Sequence, residues 1–596
     1  MAQLGVTQAV DYCKGDAHDL RVTRQITTIL DRESALETDE GQRKRVEVLR
    51  DLEGILKEFV YEVGISHGLG EEAARNAGGK IYTFGSYRLG MISPGSDIDT
   101  LLLAPRHISR DAFFTVLVPK LEIHPECRDV VGVADAYTPI IKLYFRDIDL
   151  DLLCASLDVP SIPPDFSLSD DAIMLKLDEA SMRSVNGCRV ADAMLDLVPN
   201  ADVFRSLLRF VKLWAQRRGV YSNKLGYYGG ITWALLCCRV CQLWPNAAPN
   251  QLIHRFFKLY NKWIWPNPVV LCEMKDLSLQ GFDMHRFKQW NPKTNPHDAS
   301  HLMPILTPAF PCMNSTHNVS ETTKRVICSE IGRAWQLVDN VGEGEAGWER
   351  ILEPLPFFGA LKYFLQIEVV AKTEMVHAMF KGWVESRLRM VVQGGRGWGT
   401  GLENLAGVQC HPWPGHVEVK ESLTEAWPYQ LNMYIGLVMD KSTRESVQGQ
   451  LKSNISMFVS KITGDWSDAS AHQGQFDCFV KLKTRKSLPP EIHGDAGKPA
   501  TETTGMAAES TVQSNLDHLA TPKKDERDRS RTPLGVREAP PSGVRDLDKP
   551  TMGWGGAGYV FVFAFCVFSF CFDPGAHFNH LMKHANAKLD IAVINW

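Results

Sequence analysis

The chain reads as a multidomain protein of mixed α/β and α+β units, linked through helical segments and followed by a polar tail. Three observations predict this. Short β-type runs appear between Lys80 and Leu153, helical spacing flanks them on both sides, and residues 487–550 hold no Phe, Trp or Tyr. With 44% apolar and 23% charged residues, the 596-residue chain has the composition of a folded globular protein. That excludes a wholly disordered or collagen-like molecule. Lys+Arg total 65 against 70 Asp+Glu, a net charge of −5. A nucleic-acid partner would therefore have to meet a local basic surface, since the global field repels it. The 14 cysteines are spread along a large chain, the usage of reduced thiols in an intracellular compartment.

In chain order, residues 22–64 repeat apolar side chains at helical spacing, from Ile26, Ile29 and Leu30 to Phe59 and Val60. Thr100–Ala104 reads as a strand, Arg110–Leu121 as a helix, and Ile140–Phe145 with Ile148–Cys154 as two strands turning at Arg146-Asp147. Val203, Phe204, Leu207, Leu208, Phe210, Val211 and Trp214 form a wide apolar stripe, and Tyr228–Leu243 is a second, strongly apolar helix. Cys238-Arg239-Val240-Cys241 lies inside it, with no second pair at zinc spacing, and reads as core. Tyr363, Leu365, Ile367 and Val369 alternate as a half-buried strand. Trp383–Val392 looks like an amphipathic helix, Gly394–Gly401 like a flexible insertion, and Phe479–Lys486 like a closing strand. Residues 487–550 cannot bury enough surface to order; their broken basic cluster at Lys523, Lys524, Arg527, Arg529 and Arg531 is compatible with nuclear targeting or a solvated linker. The apolar run Tyr559–Phe572 is 14 residues long, short of the ~20 that span a bilayer.

Chemistry concentrates in Phe84-Gly85-Ser86-Tyr87-Arg88-Leu89-Gly90 followed by Gly95-Ser96-Asp97-Ile98-Asp99. Gly85 and Ser86 offer a backbone that phosphates can approach closely, plus a hydroxyl. Asp97 and Asp99 are two residues apart, so on a strand their carboxylates share a face. Such a pair can hold two hard cations ~3.5–4 Å apart for phosphoryl transfer, with water and substrate oxygens completing the shells. An isolated Asp-x-Asp would be a solvated strand end. The Gly-Ser element 11 residues upstream of Asp97 changes that reading. A third carboxylate is needed, and Asp149 and Asp151 share strand parity, so both remain candidates; Asp147 sits in the turn. Arg205, Arg209 and Lys212 recur at i, i+4 and i+7, giving one helix face a basic stripe. Tyr221 could be a core aromatic or a polar contact on spacing alone, and a lone His317 reads as structural.

Gly-Ser, a spacer and Asp-x-Asp on a strand resemble the nucleotidyltransferase superfamily typified by DNA polymerase beta. The wider match resembles eukaryotic nuclear poly(A) polymerases, closest to the fungal enzymes. It rests on Phe84–Gly90, Gly95–Thr100, Asn186-Gly187 with Arg189-Val190, Lys212–Arg218, Tyr221, Gly229-Gly230, Trp290-Asn291-Pro292-Lys293 and Thr316-His317-Asn318. The resemblance implies a nucleotidyltransferase palm, a helical central domain, an RRM-like C-terminal RNA-binding domain and a disordered tail. The corresponding boundaries are an N-terminal helical segment packing with the central domain over 1–48, the catalytic domain over 49–195, the central domain over 196–350, the RNA-binding domain over 351–486, a linker over 487–552 and an unassigned tail over 553–596.

For the site, the resemblance selects Asp151 as the third carboxylate, making Asp97, Asp99 and Asp151 the catalytic and metal-binding residues. It implies that Phe84, Gly85, Ser86 and Ser93 border ATP and that Lys212 and Tyr221 contact its triphosphate. Asn186, Asn223, Gly230 and Ile231 would lie around the nucleotide and primer end. The implied activity is addition of AMP from ATP to RNA 3′ ends, with two divalent cations, Mg²⁺ or Mn²⁺. Another terminal RNA nucleotidyltransferase and a catalytically weak RNA-binding scaffold are the alternatives. The implied partners are an RNA 3′ end and subunits of the mRNA 3′-end processing machinery, for a monomer in the nucleus without a membrane. In the C-terminal unit the basic bias concentrates at Lys481, Lys483, Arg485 and Lys486, which could face phosphates.

Overall fold

The computed structural model describes residues 5–134, 136, 138–277, 284–341, 344–419, 426–488 and 492. Nearly all of the expected linker and the whole of the C-terminal tail lie outside these residues. Two helices open the described chain, α1 (Ala17–Glu33) and α2 (Asp39–Ser66). A five-stranded sheet follows, built from β1 (Lys80–Thr83), β2 (Ile98–Pro105), β3 (Cys127–Val133), β4 (Ile140–Phe145) and β5 (Ile148–Leu157) in the order β1-β2-β5-β4-β3. Only β2 and β5 run parallel. The β4–β5 hairpin turns at Arg146-Asp147, both at positive φ (49° and 62°), as a two-residue turn that matches strand twist requires.

The strands alternate between two cores. Ile98, Leu102, Ala104, Leu150 and Leu152 meet Val48, Leu52, Leu56, Phe59 and Val60 of α2 on one face. Leu101, Leu103, Leu153, Ala155 and Leu157 meet Met182, Val185 and Cys188 of α3 (Glu179–Leu197) on the other. Every second side chain therefore faces a different layer, the pattern of a sheet covered on both sides. The helix expected over Arg110–Leu121 breaks into Arg110–Thr115 and Leu117–Glu122. Pro119 explains the break, because it has no N–H to give the Thr115 carbonyl and its ring crowds that oxygen.

Next come α4 (Ala201–Arg217), α5 (Gly230–Leu243), α6 (Pro249–Asn261) and α7 (Glu321–Asp339). The stripe on α4 is buried as its spacing predicts, and Trp214 meets Trp233 of α5 and Phe257 of α6 edge-on at 5.6 and 4.9 Å. Ile26, Ile29 and Leu30 of α1 join this core. Cys238 and Cys241 are buried within it, as packing rather than as ligands. Arg218, at the end of α4, is buried against Glu330 of α7 (2.7 Å).

The last unit is an antiparallel sheet, β7-β8-β6-β9, from β6 (Tyr363–Ala371), β7 (Gln409–Glu418), β8 (Tyr429–Val438) and β9 (Phe476–Thr484). Helices α8 (Glu374–Arg387) and α9 (Lys441–Gly464) cover the face carrying Leu365, Ile367, Met433 and Ile435. The helix expected from Trp383 begins nine residues earlier, capped by Thr373, and gives way after Arg387 to a separate turn, Arg389–Gln393. The Gly394–Gly401 insertion closes on itself through a Gly395–Gly399 bridge and lays Trp398 near Phe458 of α9 (6.2 Å). Among the described residues no helix is long and apolar enough to cross a membrane.

Candidate active site

The Gly-Ser element begins a short helical turn, Gly85–Leu89, directly after β1. Gly85 adopts φ +59°, and a Cβ there would run into the Asp99 carboxylate. The glycine thus serves twice, supplying a left-handed backbone and leaving room for the acid. Phe84 N–H donates to the Asp99 carbonyl (3.1 Å), pinning the turn to β2. Its ring lies against Gly187, where a Cβ would come within 3.0 Å of it.

Asp97 stands one residue ahead of β2 rather than on it, and Asp99 is the second residue of the strand. Parallel pairing sets Asp99 opposite Asp151 on β5. Oxygens of Asp97, Asp99 and Asp151 all lie within 4.8 Å of one another. Asp149 lies opposite Tyr144 and stands outside this trio. Register thus separates the two acids that parity left equivalent.

Burial, then the charges of Asp97 and Asp151, push the Asp99 carboxyl up to about 7, while Lys142 opposes the shift. Lys142, on β4 directly across from Asp151, donates to both of its oxygens (2.5 and 2.7 Å). Sequence reading missed this lysine, since only the cross-strand register brings it to the site; a Lys at the middle of an amphipathic strand was the available signal. Three convergent carboxylates against one half-exposed ammonium leave uncompensated negative charge. That donor set, oxygens only, suits a hard divalent cation.

A cavity of about 330 Å³ opens beside Asp97 and Asp99, lined also by Gly85, Ser86, Lys212, Tyr221, Gly230 and Ile231. Eight of the residues singled out from sequence therefore meet in one space. Leu89, Met91, Leu208 and Trp233 form its apolar wall. Burial lowers the Lys212 pKa, with Asp97 acting against it, and raises that of Tyr221. Gly230 opens α5 without a side chain; a Cβ there would come within 2.6 Å of the Tyr221 hydroxyl.

The remaining expected residues sit around this space. Ser93 bonds Ser96, a lining residue, through its hydroxyl (2.8 Å). Asn186 precedes the Gly187 that receives the Phe84 ring, and its Oδ1 is buried without a hydrogen-bond partner among the described residues. Asn223 accepts through its carbonyl from the Asn318 side chain (3.2 Å). Neither asparagine lines the cavity. The basic stripe of α4 divides. Arg205 reaches the Leu89 carbonyl (2.9 Å), and Arg209 is buried against α1, donating to the carbonyls of Leu30 and Ser34. Lys212 alone of the three faces the cavity. In the C-terminal unit, Lys481 is tied to Glu368 (2.7 Å) and Arg485 to the Leu361 carbonyl (2.9 Å).

Comparison with known proteins gives a consistent picture. Family models match in order along the chain: the poly(A) polymerase nucleotidyltransferase domain over residues 5–198, the poly(A) polymerase central domain over 203–354, and the poly(A) polymerase predicted RNA-binding domain over 356–426. Poly(A) polymerase PAPa of Candida albicans is 40% identical over 411 residues, covering 69% of this chain and 72% of the relative. The poly(A) polymerase of Dictyostelium discoideum is 35% identical over 543 residues, 90% of this chain and 64% of the relative. Nuclear poly(A) polymerase 1 of Arabidopsis thaliana is 41% identical over 414 residues, 69% of this chain and 56% of the relative. The chain thus spans less than two thirds of the length of the last two. Among solved structures, a cytoplasmic RNA terminal U-transferase aligns over 56% of this chain and 99% of its own, at 14% identity and a TM-score of 0.38, a likeness too distant to bear on the choice of nucleotide.

Proposed function

This chain belongs to the poly(A) polymerase family, and on that premise we propose that it is a template-independent polynucleotide adenylyltransferase adding AMP from ATP to RNA 3′ ends. The observation that carries the proposal is the convergence of Asp97, Asp99 and Asp151 beside the cavity that also takes in Gly85-Ser86, Lys212 and Tyr221. Asp97, Asp99 and Asp151 are the residues that would hold divalent cations, Mg²⁺ or Mn²⁺. Such cations, when bound, make the RNA 3′-hydroxyl a better nucleophile and neutralise the triphosphate and leaving pyrophosphate.

The chain's own residues supply position and charge. Gly85 and Ser86 receive the phosphates on backbone N–H groups and a hydroxyl. Lys212 places an ammonium in a half-closed, low-dielectric space, where its attraction for the triphosphate is stronger than at an open surface. Tyr221 offers its hydroxyl to the same cavity, and its raised pKa keeps it a donor. Phe84 and Ser93 would border the ATP, while Asn186, Asn223, Gly230 and Ile231 would lie around the nucleotide and primer end. Residues 49–195 form the catalytic domain in this reading, 196–350 the central domain and 351–486 the RNA-binding domain. The nucleus is the site of action, in keeping with the name of the Arabidopsis relative, and subunits of the 3′-end processing machinery are the partners.

Extension of a short RNA primer, with each of the four ribonucleoside triphosphates in turn and Mg²⁺ or Mn²⁺, tests the proposal. Long products with ATP and little with the others are expected. Preferred incorporation of UMP would replace the assignment with another terminal transferase, and no extension with any nucleotide would leave only a scaffold.

A further inference from the structure

We propose that His297, Asp298 and His301 form a second cation site, for a borderline divalent ion such as Zn²⁺, separate from the aspartate trio. Apart from that trio, this is the one group of potential ligands among the described residues in which three side chains bring donor atoms within 4.8 Å of one another. None of the three lines the nucleotide cavity.

The local sequence builds the cluster. Asn295 caps a single helical turn, Pro296–Ala299, by accepting from the His297 N–H (3.1 Å). The turn places His297, Asp298 and, just after its end, His301 around one point, since residues i and i+4 share a helical face. Asp298 is anchored by the Asn291 N–H on Oδ2 (2.9 Å), which leaves Oδ1 facing His301 Nδ1 at 3.9 Å. The Trp290 indole N–H donates to that same Nδ1 (3.1 Å), so Nδ1 is the unprotonated nitrogen of the ring. The His297 ring stands edge-on to His301, with centroids 5.0 Å apart.

Two imidazoles and a carboxylate are a ligand set for zinc rather than magnesium. Zn–N and Zn–O bonds of ~2.1 Å put tetrahedral donors about 3.4 Å apart. Donor atoms that lie within 4.8 Å of one another therefore need to close by at most ~1.4 Å, with the ion taking the Nδ1 lone pair from the indole. His301 is only 7% exposed in its side chain, and its Nε2 has no hydrogen-bond partner among the described residues. A bound ion on Nδ1 would fix the segment carrying Trp290-Asn291-Pro292-Lys293, a structural rather than catalytic role.

The test is Zn²⁺ titration of the metal-stripped full chain, with excess Mg²⁺ saturating the aspartate trio, for wild type and His297→Ala. His297 is exposed, so its truncation spares the core. Wild type should bind one equivalent of Zn²⁺, and His297→Ala should bind it ~100-fold more weakly, at least the loss seen when a ligand's supporting partner is removed. Co²⁺ in place of Zn²⁺ should give wild type the visible absorption of a four-coordinate site, absent from the variant. Equal Zn²⁺ affinity in the two proteins, or no stoichiometric binding by wild type, overturns the proposal.

Discussion

Replacing Asp99 by Asn should stabilise the metal-free protein while abolishing its chemistry. The folded-state carboxyl titrates at about 7 and the reference carboxyl at 3.8, so folding raises this pKa by about three units. The native state then holds a proton that the unfolded chain has lost, and stability falls as pH rises from about 4 to about 7. At ~1.4 kcal/mol per unit, the ionised group disfavours the fold by ~4 kcal/mol near pH 8 and about half that near pH 5.5. Asn carries no charge at either pH and escapes the effect. Thermal unfolding in excess chelator should show Asp99→Asn several degrees above wild type near pH 8, at ~2–4 °C per kcal/mol for a unit of this size. The gap should narrow clearly near pH 5.5. Adding Mg²⁺ should raise wild type and leave the variant unmoved. A variant no more stable than wild type near pH 8, or a gap independent of pH, would refute the reasoning that burial beside two carboxylates strains this acid.

Two further substitutions probe the same site. Gly85→Ala sets a Cβ against the Asp99 carboxylate at a positive-φ position; it should cost ~1–2 kcal/mol of stability and remove primer extension, checked by melting and turnover together. Lys142→Met withdraws the one cation that lowers the Asp99 pKa, so Mn²⁺ binding should demand a higher pH than in wild type, read from the midpoint of affinity against pH.

The parts of the site set by local spacing were legible in the sequence. Gly85-Ser86 and Asp97-Ile98-Asp99 are local, and their chemistry follows from residue type and interval. Asp151 was not separable from Asp149 by parity, because both project to the same side of β5. Beyond the family resemblance, it is the pairing of Asp99 with Asp151 across parallel strands that separates them, and register is a long-range property. Lys142 was hidden for the same reason. Arg209 illustrates the converse: i, i+4, i+7 spacing correctly placed it on one face with Arg205 and Lys212, but α1 covers part of that face and accepts its hydrogen bonds. The break in the expected Arg110–Leu121 helix was readable in principle, since Pro119 sits within it. The basic run from Lys481 to Lys486 shows the same limit: Lys481 pairs with Gln366 and reaches diagonally to the Glu368 carboxylate, and the Leu361 carbonyl accepts from Arg485. Charge along a strand does not reveal what stands opposite.

The central claim is that the three acids act together on one nucleotide. Single-turnover incorporation of AMP into a labelled RNA primer by Asp151→Asn, with primer affinity measured on the same preparation, addresses it most directly. A rate ~10³-fold or more below wild type with unchanged primer affinity is the predicted result. Incorporation at close to the wild-type rate would contradict the account.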